Sequence, residues 1–243
     1  MKNIRKKCLF LVLILAAALL CSGCSSGGSE SGKTVSEVPQ LLNQAEYVLY
    51  QNVYYNGYGA TLNGSPVTKN GVFAILEDAY NGRTRYYVWG YLDNTLCCDW
   101  QWEFVPSDMK SLPAPGSVIT VSGDFVSDGD ALDGYWIKDA QITVESTYTG
   151  PKYDVNMQAM SDTLERVQVL NIQNRQEQFE GKTYAAYGRV SALNILQDPY
   201  YGEWQIAFAP AGGAASPAIG ADIQLNGKIA SGILGEAVVN VKN

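Results

Sequence analysis

Histidine is absent from all 243 residues. Its absence removes the commonest general base, the Ser/His/Asp arrangement for acyl transfer and every metalloprotease motif built on imidazole. One GxxxxGK[ST] match occurs, GGSESGKT at Gly27 to Thr34, but it lies in the Gly/Ser-rich stretch behind the N-terminal apolar run, which reads as a tether and not as the strand-to-helix turn that the phosphate-cradling loop of nucleotide hydrolases needs. Paired carboxylates remain available for acid/base work, but no spacing singles out a pair. The residues therefore favour binding over catalysis, and no cofactor is expected. Cysteine is scarce, with five in the chain, and the uncharged apolar run Cys8 to Leu20 falls short of the roughly 20 residues that span a bilayer. Positive charge is also in short supply, with 17 Lys and Arg against 24 Asp and Glu.

What is present begins with an address. Lys2, Arg5, Lys6 and Lys7 precede the apolar run, and Cys21-Ser22-Gly23-Cys24 follows it, the layout of an export signal. The end of this segment resembles a bacterial lipoprotein signal, although Cys21 stands where that family usually carries Leu or another aliphatic. The resemblance implies cleavage after residue 23 and a lipid on Cys24, tethering the chain to the cell membrane outside the cytoplasm; a short membrane anchor and plain secretion are the alternatives. Ser25 to Lys33, SSGGSESGK, reads as a flexible tether. After cleavage 13 basic residues face 24 acidic ones, a net charge of −11, which repels phosphate backbones and argues against a nucleic-acid partner. Cys24, Cys97 and Cys98 remain, and with Cys24 acylated no spaced pair is left for an ordinary disulfide. Stability must come from packing.

The strongest internal signal is a duplication. Trp100 to Gly123, WQWEFVPSDMKSLPAPGSVITVSG, recurs as Trp204 to Gly227, WQIAFAPAGGAASPAIGADIQLNG, with nine of 24 positions identical, where chance gives about one or two. Ile75-Leu76-Glu77-Asp78-Ala79-Tyr80-Asn81-Gly82 aligns with Ile195-Leu196-Gln197-Asp198-Pro199-Tyr200-Tyr201-Gly202 at a different offset. On that alignment the first copy carries 16 extra residues, Arg83 to Cys98, enough for one more strand, and the second copy is trimmed.

Texture along the chain divides it. Val35 to Ala45 reads as a short helix; from Tyr47, tyrosines and β-branched residues broken by Asn-Gly pairs read as strands and turns. Five β-like segments follow, at 72–77, 85–92, 96–105, 117–125 and 135–144. Ser161 to Ile172 has a helix-start pattern, though its RVQVLNI could equally be strand, and Gln176 to Gly181 reads as one helical turn. The second module spans 184–196, 204–209, 222–229 and 236–242. The division is a signal peptide (1–23), a lipidated cysteine and tether (24–45), a first domain (46–149), a linker with a short helix (150–180) and a smaller second domain (181–243).

This is an all-β chain whose strand count and long third connection fit a small Greek-key barrel, with a β-sandwich as the competitor. GSVITVSGDF followed by GYWIKDAQITV, and EGKTYAAYGRV with IGADIQLNGKI, resemble the anticodon-binding-like OB-fold domains of bacterial surface lipoproteins. The resemblance implies two tandem OB-like barrels. LCCDWQWEFVP further resembles a Cys-Cys motif of uncharacterised exported OB-like lipoproteins, and more distantly a soluble domain of putative permease accessory proteins; neither supplies an activity.

Strand alternation puts Cys98, Trp100, Trp102 and Phe104 on one face and Cys97, Asp99, Gln101, Glu103 and Val105 on the other. The first face reads as barrel core, with a stacking platform as the alternative. Tyr86, Tyr87, Trp89 and Tyr91 form an aromatic run in which Tyr87, Trp89 and Tyr91, together with Gln101 and Glu103, are the candidate ligand-binding residues, meeting an envelope protein, peptide or glycan; cross-strand packing is the competing account. Cys97, Cys98 and Asp99 are the candidate metal or thiol site, although adjacent strand residues diverge, so both sulfurs meet one metal only at a bulge. On this reading Cys98 belongs to the core and Cys97 to the surface. Asp124, Asp128, Asp130 and Asp133 crowd one loop, but their spacing fails the EF-hand pattern.

Overall fold

The structure, a computed structural model, describes residues 42, 44–54, 59–78, 82–92, 98–127 and 134–242, and all of these fall in one compact unit. It is mostly β, 50% strand and 19% helix. Strands β1 (Pro66–Asp78), β2 (Arg83–Tyr91), β3 (Asp99–Pro106), β4 (Val118–Val126) and β5 (Trp136–Ser146) close into a barrel in the order β1-β2-β3-β5-β4. The β3–β5 pair is parallel and the other pairs are antiparallel. A second sheet holds β6 (Val155–Asn156), β7 (Thr183–Ala192), β8 (Ile195–Gln197), β9 (Gln205–Pro210), β10 (Asp222–Ala230) and β11 (Ile233–Val241). There β10 pairs with both β11 and β7, so the pairings of β7, β8, β9, β11 and β10 return on themselves in the same order as the first barrel, with β6 added in parallel beside β7.

The repeated residues occupy equivalent positions in the two sheets. Gly116 and Gly220 both have positive φ, 96° and 88°, and donate N–H to Phe73 O (2.8 Å) and Val190 O (2.7 Å) respectively. Return bonds run from Phe73 N to Ser117 O and from Val190 N to Ala221 O. Gly123 and Gly227 each lie opposite a bulge in the following strand, where a Cβ would strike the Lys138 carbonyl in one copy and the Gly235 carbonyl in the other. The bulges carry the left-handed residues Asp139 and Glu236.

This register corrects the reading that the second copy lacks a strand. Gly71 pairs with Ile119 as Gly188 pairs with Ile223, and Trp89 pairs with Gln101 as Gln197 pairs with Gln205. Ile195-Leu196-Gln197 is thus the counterpart of Tyr87-Val88-Trp89, not of Ile75-Leu76-Glu77. Both copies have the five strands, and the second has a shorter first hairpin; the local match of residues 75–82 with 195–202 misled because strand pairing, which sets the true register, is not displayed in the sequence.

Among the described residues three α-helices accompany the strands: α1 (Gln44–Tyr54), α2 (Asp162–Asn174) and α3 (Gln176–Phe179). α1 replaces the strand expected from Tyr47 onward. Its β-favouring residues form a helix because Leu49, Tyr50 and Val53, at helical spacing, pack on the first barrel's core; Tyr55 and Tyr58 lie outside the described residues. α2 settles the ambiguity at RVQVLNI in favour of helix, with the Ser161 hydroxyl accepting from Leu164 N at 3.2 Å as its cap.

Both faces of the first barrel's leading strands are buried. Phe73, Val88, Trp100, Trp102 and Phe104 point into the barrel with Ile119, Val121, Phe125 and Ile137. The alternate residues Val72, Ala74, Leu76, Tyr87, Trp89 and Tyr91 point out, into a cluster continuous with Met157, Met160, Leu164, Trp204 and Phe208 of the second half. The core of the second sheet thus runs without a break onto the outer wall of the first barrel, whose interior forms a cluster of its own.

Candidate functional site

The outward face of β1, β2 and β3 carries every proposed ligand contact, and the structure covers it from within the chain. Tyr87, Trp89 and Tyr91 are buried, which corrects the expectation of an exposed aromatic face: residues 155–174 fold back onto it. Trp89 Nε1 donates to Ala159 O at 2.8 Å, and Ser161 Oγ donates to Gln101 Oε1 at 3.4 Å. Glu103, also buried, accepts two bonds of 2.9 Å from Arg85 Nη1 and one of 3.3 Å from the Tyr87 hydroxyl. α2 completes the seal through its amides: Gln168 Oε1 accepts from Glu77 N at 3.2 Å and Asn171 Nδ2 donates to Glu77 O at 2.8 Å. These two side chains pair the edge of β1 where its pairing with β4 has ended.

The thiol candidate is placed in part. Cys97 and Cys24 lie outside the described residues. Cys98 is exposed, not in the core as its strand parity implied, because β3 begins at Asp99 and regular alternation does not extend back to it. Asp99 turns its carboxylate to α2, accepting from Thr163 N (3.1 Å) and Thr163 Oγ1 (3.3 Å). Among the described residues no three of Cys, Asp and Glu gather as metal ligands. Asp124 is exposed, while Asp128, Asp130 and Asp133 lie outside the described residues.

The second sheet leaves the equivalent face partly open. Arg189, Gln197 and Gln205 pair in a row across β7, β8 and β9, the positions of Val72, Trp89 and Gln101 in the first barrel. Gln205 is exposed and donates from Nε2 to Gln197 Oε1 at 3.2 Å; Arg189 forms a two-point ion pair with Asp222 at 2.8 and 3.2 Å, which holds its pKa up. Beside this row stands a loop shaped by one buried carboxylate. Asp198 accepts from Tyr200 N, Tyr201 N and Glu203 N at 2.9, 3.1 and 3.2 Å. The loop presents Tyr200 and Tyr201 outward, 37% and 54% exposed, with ring centroids 6.5 Å apart.

Sequence reasoning missed a group inside the first barrel. Lys69 is wholly buried, and its Nζ lies 5.0 Å from the Trp102 ring centroid and 5.9 Å from that of Trp100. Desolvation lowers its pKa, against a smaller upward pull from Glu46 on α1. The signal was in strand parity: Val67, Lys69 and Phe73 share the inward side.

Fold and face together define a β-barrel protein with a second, duplicated sheet docked on its outer wall. No protein-family model matches the chain, and no curated protein matches it.

Proposed function

We propose that this chain is an exported lipoprotein, anchored through Cys24, in which two tandem OB-like Greek-key barrels form a binding or assembly module facing outside the cytoplasm. Its partner is an envelope protein, peptide or glycan, and not a nucleic acid. The observation that supports this best is the contrast between the two equivalent faces. In the first barrel the face is occupied by the chain itself. In the second it offers the Gln197–Gln205 amides next to the Tyr200–Tyr201 pair. Strands two and three are the face that OB barrels use for extended ligands, so the recognition surface moves from Tyr87, Trp89 and Tyr91 to the second copy. The excess of acid over base supports a neutral or basic partner.

Two measurements test this. Metabolic labelling with a radioactive fatty acid marks the wild-type chain and is lost in Cys24→Ala. Retention of the protein on neutral polysaccharide and on whole cell-wall sacculi falls at least about tenfold in Tyr201→Ala. Equal retention on heparin or single-stranded DNA removes the reading.

The exposure of Cys98 favours a second reading, a thiol-dependent metal or redox site using Cys97 and Cys98 with Asp99 as helper. Intact mass spectrometry of the folded protein, with and without reductant and chelator, separates the two. Loss of two hydrogens on oxidation, or a bound metal ion, supports the thiol site; two thiols alkylated without either change remove it.

A further inference from the structure

Two nitrogen donors inside the first barrel have no acceptor. Lys69 Nζ and Trp102 Nε1 are both buried and without a hydrogen-bond partner. They share one region, since Nζ lies over the Trp102 ring at 5.0 Å from its centroid. A buried donor left unmatched is costly, and native structures rarely keep one without a reason. The barrel fold does not require the pair. Lys69 pairs with Val121 as Ala186 pairs with Leu225, so alanine stands at the lysine position of the second copy, and Ile206 stands at that of Trp102.

The wanted partner is therefore an acceptor, and its surroundings define its class. The fully buried side chains of the first barrel's cluster, among them Val67, Phe73, Val121, Phe125 and Ile137, are apolar, and the hydroxyl-bearing Tyr50, Tyr86 and Tyr135 lie at its partly buried margin. A water accepting from both donors would have those two partners and would turn its own two hydrogens toward the apolar side chains of the cluster, short of the roughly three partners that a buried water usually has. A carboxylate accepts only, and its two oxygens match two donors. A dianion such as phosphate would bring more charge into an apolar chamber than one amine offsets. We propose that the interior of the first barrel, beneath α1, binds a small monocarboxylate with an apolar body, held between Lys69 Nζ and Trp102 Nε1.

α1 is the element that admits it. Val53 is buried in the barrel's cluster, Leu49 and Tyr50 pack on its margin, and the Tyr135 hydroxyl donates to Val53 O at 3.3 Å. Eleven residues are too few for a helix to persist alone in water, so α1 stays folded only while seated. Lifting it removes the Val53 and Leu49 side chains and opens the aromatic interior. The site is independent of the surface reading given under the proposed function.

The test uses the detergent-solubilised full-length chain, with benzoate and phenylacetate as probes and the corresponding amides as controls. Titration followed by tryptophan fluorescence and calorimetry gives saturable binding of the carboxylates and none of the amides. Lys69→Met, which keeps the length and apolar packing of the side chain, weakens binding at least about tenfold, and Trp102→Phe weakens it at least about threefold. Thermal melting shows both variants folded. Equal binding by Lys69→Met and wild type, equal binding of acids and amides, or no saturation below about 10 mM overturns the proposal.

Discussion

Lys69 shows most directly what a single side chain does to this molecule. Its amine is taken out of water without an acceptor and is offset by the faces of two tryptophans, an attraction worth about 2 kcal/mol when desolvated. Burial lowers its folded pKa below 10.5, with Glu46 opposing. The unfolded chain then binds the proton more strongly, so this group's destabilising contribution is full below the folded pKa and fades as pH rises from there toward the unfolded value. Lys69→Met is expected to raise stability at pH 7 by about 1–3 kcal/mol. The gap between variant and wild type should shrink as pH rises toward and past 10.5, read from urea midpoints; a gap constant over that range would mean that the amine's charge is not what costs. Single-residue chemistry also explains the repeat. Gly116 and Gly220 need positive φ, and Gly123 and Gly227 need the space a Cβ would fill, so these identities were visible in the sequence because no other residue serves there.

At the scale of elements, α2 acts as a clasp. It is capped by Ser161, fixed at its first turn by Asp99, and joined to β1 by Gln168 and Asn171, on the backbone N–H and C=O of Glu77 respectively. Replacing both amides by alanine takes these partners from both backbone groups at a part-buried site, at an expected loss of about 2–4 kcal/mol in denaturant unfolding. Leu170→Ala, on the exposed side of the same helix, should stay within about 0.5 kcal/mol. A loss no larger for the double variant than for Leu170→Ala would show that the clasp is ornamental. The cap pattern that marks α2 was legible; its partner, the unpaired end of β1, was not, because an edge exists only once the sheet has formed. α1 was misread for a related reason. Its Tyr and Val residues favour strand locally, and only contact with the barrel makes the helix the better state.

At the scale of the whole molecule, the continuous core makes one unit of two similar halves. Residues 46–149 alone would expose Val72, Leu76, Tyr87, Trp89 and Tyr91, a patch that soluble monomers rarely carry. That fragment should aggregate or self-associate in light scattering and become monomeric on adding 150–243; a well-behaved monomer by itself would show that the seam is dispensable. By itself the sequence determined the duplication, the strand-rich texture, the inward Trp100–Trp102–Phe104 face and the lack of imidazole chemistry, since each is written in local pattern or in composition. Only the tertiary structure decided that Tyr87, Trp89 and Tyr91 meet the chain's own second half and not a partner, and that Lys69 is enclosed. Strand parity assigns a residue to one of two faces, but what covers each face depends on segments some 70 to 120 positions away, and that pairing is fixed by packing across the fold.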